Sequence, residues 1–541
     1  MADGSPLGRD DMLLNLLEVL LVTAGCAAVS LHFLHMLQLE SYQLDGYLRW
    51  LNKNPERART RFAAVGVVLT ALYWYLPIFL SIFTADADLR FTISRVLLMV
   101  VFAIAAAVIV LGQHRQPAKK PLVFTARMKR LFAGLCGVCF LLTGAVRLIG
   151  LPVYLAFAAG AYLTLAAGFA MQPVENRINR GFFEAAKAKL EARPDLIKIG
   201  ITGSYGKTST KFALMTILSE KYNVLASPAS FNTPMGLSRV VNTQLNDKHQ
   251  VFSAEMGARH VGDIRELVDL VHPKYGLLTS VGPQHLETFL TVENIANTKY
   301  ELIDGLPDDG TAFFADDGNL VHQLYDRCPV RKVLTGIGDL GQELRAENLR
   351  VTINGSKFDL VTADGQRKPC TTRLLGRHNI ANIVLAASVA LELGLTLDEI
   401  GAGIRKIAPV EHRLQLIKGA MTVIDDAFNS NPSGAEEALN VLGGFPQNRI
   451  IVTPGFVEQG KREAELNFQF GAQMVGKVDI AILVGKKHSK PIHDGLSVAG
   501  FDESHIYVVP NLDEASVALR QIGKAGDTVL FENDLPDNYN E

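Results

Sequence analysis

The sequence predicts an N-terminal helical membrane region of about five transmembrane helices. An α/β region follows, made of a P-loop-type parallel-sheet domain and a Rossmann-like C-terminal domain. Three observations predict this. Apolar stretches long enough to cross a bilayer crowd the first third of the 541 residues. An apolar run at Ile197, Ile199 and Ile201 breaks at Gly203-Ser204-Tyr205-Gly206, and a helical pattern starts at Lys207. Short apolar strands then alternate with helical patterns to the end of the chain, the signature of a sheet covered on both faces. The expected boundaries are 1–172 for the membrane region, 173–194 for an amphipathic linker, 195–408 for the central domain and 409–541 for the last.

Composition sets the first limits. Net charge is −2, which argues against a general nucleic-acid binder. Hydrophobic residues make up 48% of the chain, high for a soluble protein, and the excess lies in the first third. Of five cysteines, Cys136 and Cys139 form a CxxC, but inside an apolar run without charge or histidine. They read as small apolar residues, not as a metal or redox pair. No disulfide framework is indicated.

The candidate spans are 12–37, 63–83, 93–112, 130–148 and 151–171, each near the length a bilayer requires. The first is too long, and comes too late after an acidic start (Asp10, Asp11), to be a cleaved signal peptide. The last two flank a Gly-Leu-Pro turn and should form a hairpin. His32 and His35 sit near the end of the first span and read as interfacial. No intramembrane charge pair is evident, which argues against a transporter. Basic residues concentrate after span one (Arg49, Lys53, Arg57, Arg59, Arg61) and after span three (Arg115, Lys119, Lys120, Arg127, Lys129, Arg130). Those loops belong inside, which puts the N-terminus outside and the last two thirds in the cytoplasm of a multi-pass protein of the cell (inner) membrane. In the linker, Phe182 and Phe183 can dip into the interface.

Strand, glycine loop, helix is a phosphate cradle. Gly203 and Gly206 allow close approach of backbone N–H groups, with Ser204 and Ser209 beside them. Lys207 offers a cation to the phosphates of ATP, and Thr208 a hydroxyl to Mg²⁺. The spacing is the short TGxxGK[ST] form. At the ends of later strands stand Glu255 in EMGARHVGDI and His285 in SVGPQHLETF, candidate metal ligands beside the loop. Five more strand candidates, 421–426, 449–454, 479–485, 505–510 and 527–532, make the C-terminal sheet.

Four motifs together resemble the ATP-dependent Mur ligase family: GSYGKT (203–208), EMGARHVGDI (255–264), TSVGPQHLETFLTVENIANTKYEL (279–302) and LLGRHNIANIVLAASVAL (374–391). The last three are most similar to the branch that adds D-alanyl-D-alanine to a muramoyl tripeptide. The resemblance implies ATP and Mg²⁺ as cofactors and roles for individual residues. Lys207 and Thr208 would hold phosphate and metal, and Glu255 and His285 would be metal ligands. Lys299 matches a lysine that is carbamylated in the family and then holds a second Mg²⁺. His378, Asn379 and Asn382 resemble the segment at the adenine end of ATP. Arg413 looks like the linker arginine that reaches the γ-phosphate, so Lys207, Lys299 and Arg413 are the candidate catalytic residues. Asp426, with Asn429 and Asn431, matches a segment at the nucleotide face, an Asx turn being an equal reading of the asparagines. Asn232 and Thr233 resemble the loop that faces the acceptor, a helix N-cap or turn being equally open.

What this implies is a membrane-anchored peptide ligase of cell-wall precursor synthesis that works through an acyl phosphate. Its partners would be the lipid bilayer, a UDP- or lipid-linked carboxylate acceptor, an amine donor and other envelope-synthesis proteins. Three features depart from the family: TPGFVEQG (453–460) replaces a Gly-Asp-Met-Glu-Leu-Gly-like turn, FENDLPDNY (531–539) stands where a basic and serine-rich end is usual, and membrane spans stand where soluble members bind UDP. A poly-amino-acid or lipid-intermediate ligase, and a non-catalytic nucleotide-binding scaffold, are the alternatives. The four-cysteine zinc module of the amidating members is missing from the sequence.

Overall fold

A computed structural model describes residues 9–40, 42–55, 61–114, 121–228, 231–284, 286–338, 341–427, 431–446, 448–457, 459, 462–485 and 489–533. The chain forms two compact units, Met1–Arg180 and Gly181–Glu541.

The first unit is helical. Its helices are α1 (Arg9–Leu39), α2 (Leu44–Lys53), α3 (Arg61–Leu80), α4 (Ala87–His114), α5 (Ala126–Leu148) and the first part of α6 (Tyr162–Glu191), with a short 3₁₀ helix at Val153–Ala159. α1, α3, α4 and α5 are each long and apolar enough to cross a membrane. Rows of large apolar side chains point outward from α3 (Val67, Val68, Trp74, Ile78, Phe79) and α4 (Val100, Ile104, Val108), a surface suited to lipid. Phe33, Phe62, Phe102, Tyr154 and Phe157 pack inside. The fifth expected span differs. It is the 3₁₀ helix and α6, bent by 81°, so it counts as a span only if the pair is taken together. The bend falls at Gly160, whose φ of +46° suits glycine and where a Cβ would lie 2.9 Å from the Phe62 ring. α6 then runs without a break to Glu191, through most of the stretch expected to be a separate linker.

Against the expectation of no charge pair among the candidate spans, this unit holds one. Glu18 of α1 and Arg95 of α4 meet at 2.7 Å with both side chains buried. Asn15 Oδ1 accepts hydrogen bonds from Arg95, at 2.6 Å, and from Arg147, and the Tyr154 hydroxyl lies 3.4 Å from Glu18. The paired charges are 77 residues apart, so local pattern gives no sign of them.

The second unit contains two sheets. The first holds β1 (Ile197–Thr202), β2 (Val224–Ala226), β3 (Val251–Glu255), β4 (Tyr275–Leu278), β5 (Thr311–Ala315), β6 (Arg331–Ile337), β7 (Leu344–Thr352), β8 (Gly355–Thr362) and β9 (Arg367–Thr372), in the order β2-β3-β1-β4-β5-β6-β7-β8-β9. Strands β1 to β7 pair in parallel, and β7, β8 and β9 form an antiparallel extension absent from the alternating pattern read in the sequence. β3 and β5 are buried along their whole length, as strands with both faces covered must be. The second sheet holds β10 (Gln415–Lys418), β11 (Thr422–Asp426), β12 (Arg449–Thr453), β13 (Ile480–Val484), β14 (Ile506–Val509) and β15 (Thr528–Glu532), in the order β10-β11-β15-β12-β13-β14. Its five parallel strands fall on the five expected ones; β10 adds an antiparallel edge.

The order of the first sheet positions the site. β1 lies between β3 and β4, and the chain winds away from it in both directions. At such a switch point the carboxyl ends of neighbouring strands open a crevice. The ends of β1, β3 and β4 are Thr202, Glu255 and Leu278.

Candidate nucleotide and metal site

The loop after β1 leads into α7 (Lys207–Leu218), a twelve-residue helix. Gly203 has φ +149°, and a Cβ there would collide with Thr279 Oγ1 and lie 3.0 Å from Ser280 N. Gly206 has φ +81°, and a Cβ there would lie 2.5 Å from Asn382 Oδ1. Glycine is therefore required at both positions, by backbone angle and by close packing. The segment after β4 braces the loop. Ser204 N donates to Ser280 O at 2.8 Å, Ser204 Oγ to Gly282 O at 3.0 Å, and Tyr205 N to Ser280 Oγ at 2.9 Å. Ser204 thus turns inward to shape the loop. The amides of Lys207, Thr208 and Ser209 open α7, where a helix has no partners of its own for them.

Lys207 arches back over the loop, its Nζ 2.6 Å from Gly203 O and 3.0 Å from Ser204 O. Burial pushes its pKa down to about 8; Arg413 works in the same direction and Glu255 against it. The Thr208 hydroxyl donates to Glu255 Oε1 at 3.1 Å. Asn232 Nδ2 lies 3.2 Å from the same oxygen, and Lys211 Nζ lies 2.9 Å from Oε2. Burial alone would raise the Glu255 pKa, but the Lys211 and Lys207 cations outweigh it and hold the carboxyl below its ordinary value.

Other elements bring further groups. Lys299, on the helix Val292–Asp304, is 2% exposed. Burial, reinforced by Lys207, drives its pKa well below the lysine range. Asn379 and Asn382 share the helix Arg377–Glu392 but do different things. Asn379 Nδ2 binds Leu375 O at 2.8 Å, whereas Asn382 packs on Gly206. His378 stays neutral, its pKa pushed to about 4 by burial. From the C-terminal half, Arg413 Nη2 reaches Thr208 Oγ1 at 3.4 Å. Asp426, at the end of β11, accepts from Leu414 N at 2.9 Å and is raised in pKa by burial.

The structure thus gathers Lys207, Thr208, Glu255, Asn232, Asn382 and Arg413 around one loop. Thr233 does not join them. It is the N-cap of the helix Pro234–Gln244, accepting from Gly236 N at 3.2 Å, so of its two readings the cap is the one observed. Asn431 likewise caps the helix Pro432–Gly443. His285 and Asn429 lie outside the described residues. Lys211 is the residue sequence reasoning missed. Its signal is present: it sits four positions after Lys207, one helical turn on.

Among the described residues no group of three His, Cys, Asp or Glu side chains is placed to hold a metal. What the loop offers is a hydroxyl and a carboxylate, hard oxygen donors. That fits Mg²⁺, which takes one or two protein oxygens and fills its shell with phosphate and water.

Comparisons with known proteins agree with this geometry. The Mur ligase middle domain matches residues 201–390, and the Mur ligase glutamate ligase domain matches 412–532. The UDP-N-acetylmuramoyl-tripeptide–D-alanyl-D-alanine ligase of Escherichia coli is 32% identical over 293 residues, covering 53% of this chain and 64% of that protein. The enzyme of the same name from Mycobacterium bovis is 33% identical over 247 residues, covering 45% of this chain and 48% of that protein. The chain therefore spans about half to two thirds of these curated relatives. Among solved structures, MurF from Acinetobacter baumannii superposes with a TM-score of 0.60 at 22% identity, covering 66% of this chain and 77% of that one. MurF from Thermotoga maritima in complex with ADP gives 0.59 at 23%, covering 66% and 80%. With the loop, its partners and the sheet order all as described, the chain belongs to the Mur ligase family.

Proposed function

We propose that this protein is an ATP-dependent carboxylate–amine ligase that adds D-alanyl-D-alanine to a muramoyl tripeptide at a membrane surface. The observation that carries this reading is the convergence of Lys207, Thr208, Glu255 and Arg413 on one loop. An acceptor carboxylate oxygen attacks the γ-phosphorus of ATP, ADP leaves, and an acyl phosphate forms. The amine nitrogen then attacks the acyl carbon, its proton is lost, and inorganic phosphate departs. Such chemistry needs neutralised charge and fixed positions more than a nucleophilic side chain. Lys207 supplies a cation at the loop, and Arg413 brings a second from the C-terminal half. Thr208 and Glu255 would hold Mg²⁺, which supplies charge neutralisation at the phosphates. Lys299, carbamylated, would hold a second. His285 is an expected ligand from the motif alone. Asn382 and His378 would line the nucleoside side, and Asn232 the acceptor side.

The helical unit suggests a lipid-linked acceptor. Four helices, or five with the bent pair counted as one, are long and apolar enough to cross a membrane. The basic loops after α1 and α4 favour a cytoplasmic α/β unit only if the bent pair completes a fifth crossing. ADP release by the detergent-purified protein tests the proposal, with Mg²⁺, D-alanyl-D-alanine, and UDP-linked or lipid-linked muramoyl tripeptide in parallel. Release that needs both amine and acceptor and vanishes in Lys207→Ala is expected, with the lipid-linked acceptor preferred. Equal turnover of both acceptors would remove the lipid-linked part. No release with either, while ADP still binds, would overturn the substrate assignment.

A further inference from the structure

We infer that Lys211 is a positioning residue that holds Glu255 in check, so that a divalent cation enters this site with nucleotide and not ahead of it. This rests on reading the loop as a metal–nucleotide site. Lys211 lies one turn into α7 and is completely buried. Its Nζ is 2.9 Å from Glu255 Oε2, and the two side chains are 0% and 2% exposed. The other carboxylate oxygen faces the Thr208 hydroxyl at 3.1 Å and the Asn232 amide at 3.2 Å. Both oxygens of Glu255 therefore already have donors.

Geometry and charge then act together. Lys211 orients the carboxylate by its inner oxygen, which leaves Oε1 as the one that faces the loop. Lys207 and Arg413 also act on Glu255 electrostatically. Glu255 thus faces three cations, of which Arg413 is also acted on by Asp426. A bare dication would have to approach these cations and displace the hydrogen bonds that Glu255 already accepts. A polyphosphate relieves this: it draws Lys207 and Arg413 to its own oxygens and brings phosphate ligands for the metal. Lys211, fully buried and bonded to Glu255 Oε2, would continue to fix the carboxylate.

Mn²⁺ provides the probe, its free concentration read by electron paramagnetic resonance on the detergent-purified full chain at pH 8. Wild type is expected to bind Mn²⁺ at least tenfold more weakly without ADP than with it. Lys211→Met should tighten nucleotide-free binding at least tenfold, Lys211→Arg should restore the wild-type pattern, and Glu255→Gln in the Lys211→Met background should remove the gain. If Lys211→Met does not fold, Lys211→Gln, which retains a donor but no charge, makes the same comparison. The inference is overturned if wild type binds Mn²⁺ equally with and without ADP, or if removing the charge at 211 leaves nucleotide-free affinity unchanged. Failure of wild type to bind ADP at all would instead overturn the nucleotide-site reading beneath it.

Discussion

Arg413 Nη2 lies 3.4 Å from Thr208 Oγ1, across 205 residues of sequence. The contact joins the loop that leads into β10 to the first turn of α7. Both residues are held from behind: Leu414 N is anchored on Asp426, and Thr208 donates to Glu255. If Arg413 acts on developing charge, Arg413→Ala should lower turnover by roughly 100-fold while ADP affinity changes much less. Steady-state rates and calorimetric ADP binding on the same preparation check this. Parallel loss of both would assign Arg413 to ground-state binding.

Lys207 predicts a proton linkage. Its pKa near 8 leaves a fraction neutral in the free protein at pH 8. A bound polyphosphate favours the charged form and raises that pKa. ADP binding should therefore take up a proton at pH 8, and affinity should fall as pH rises further. Calorimetry in two buffers of different ionisation enthalpy measures the uptake. Lys207→Met should abolish it.

Lys299 is a buried amine with a strongly depressed pKa. Only a neutral amine adds CO₂ to give a carbamate, so this burial favours carbamylation. Activity should drop in CO₂-depleted buffer and return with bicarbonate. Lys299→Ala should be inactive and partly rescued by a short carboxylic acid. Full activity of Lys299→Ala would sink the idea.

Two glycines make a contrast. Gly203→Ala places a Cβ against Thr279 at φ +149°, and should cost at least about 1–3 kcal/mol together with ADP binding. Gly181→Ala, in α6 with nothing within 4 Å of the new Cβ, should raise stability by about 0.5–1 kcal/mol. Thermal unfolding with and without ADP reads both.

The Glu18–Arg95 pair predicts non-additivity. Removing one partner leaves a buried charge alone and should destabilise the helical unit by about 3–5 kcal/mol. Glu18→Leu combined with Arg95→Met should recover most of that loss. Unfolding of the four proteins of this cycle in one detergent decides it. Additive losses would mean that the charges do not depend on each other.

Local order in the sequence determined a great deal. Period and length alone located four apolar helices and the five parallel strands of the second sheet. A glycine pair followed by Lys-Thr located the loop between β1 and α7, because both glycines sit at positive φ in close packing. Motif resemblance drew attention to Glu255, Lys299, Asn382 and Arg413 before any of them had neighbours. What the tertiary structure alone decided is who meets whom. Lys211 and Glu255 are 44 residues apart, and they meet because β1 lies beside β3. Thr233 turned out to be a cap while its neighbour Asn232 reached the carboxylate. The bend at Gly160, the antiparallel strands β8 and β9, and the ion pair of Glu18 with Arg95 also depend on partners distant in sequence. Periodicity records which face of an element is buried. It carries no record of the element against which that face is buried, and charge pairing, metal geometry and proton affinity are all set by that second fact.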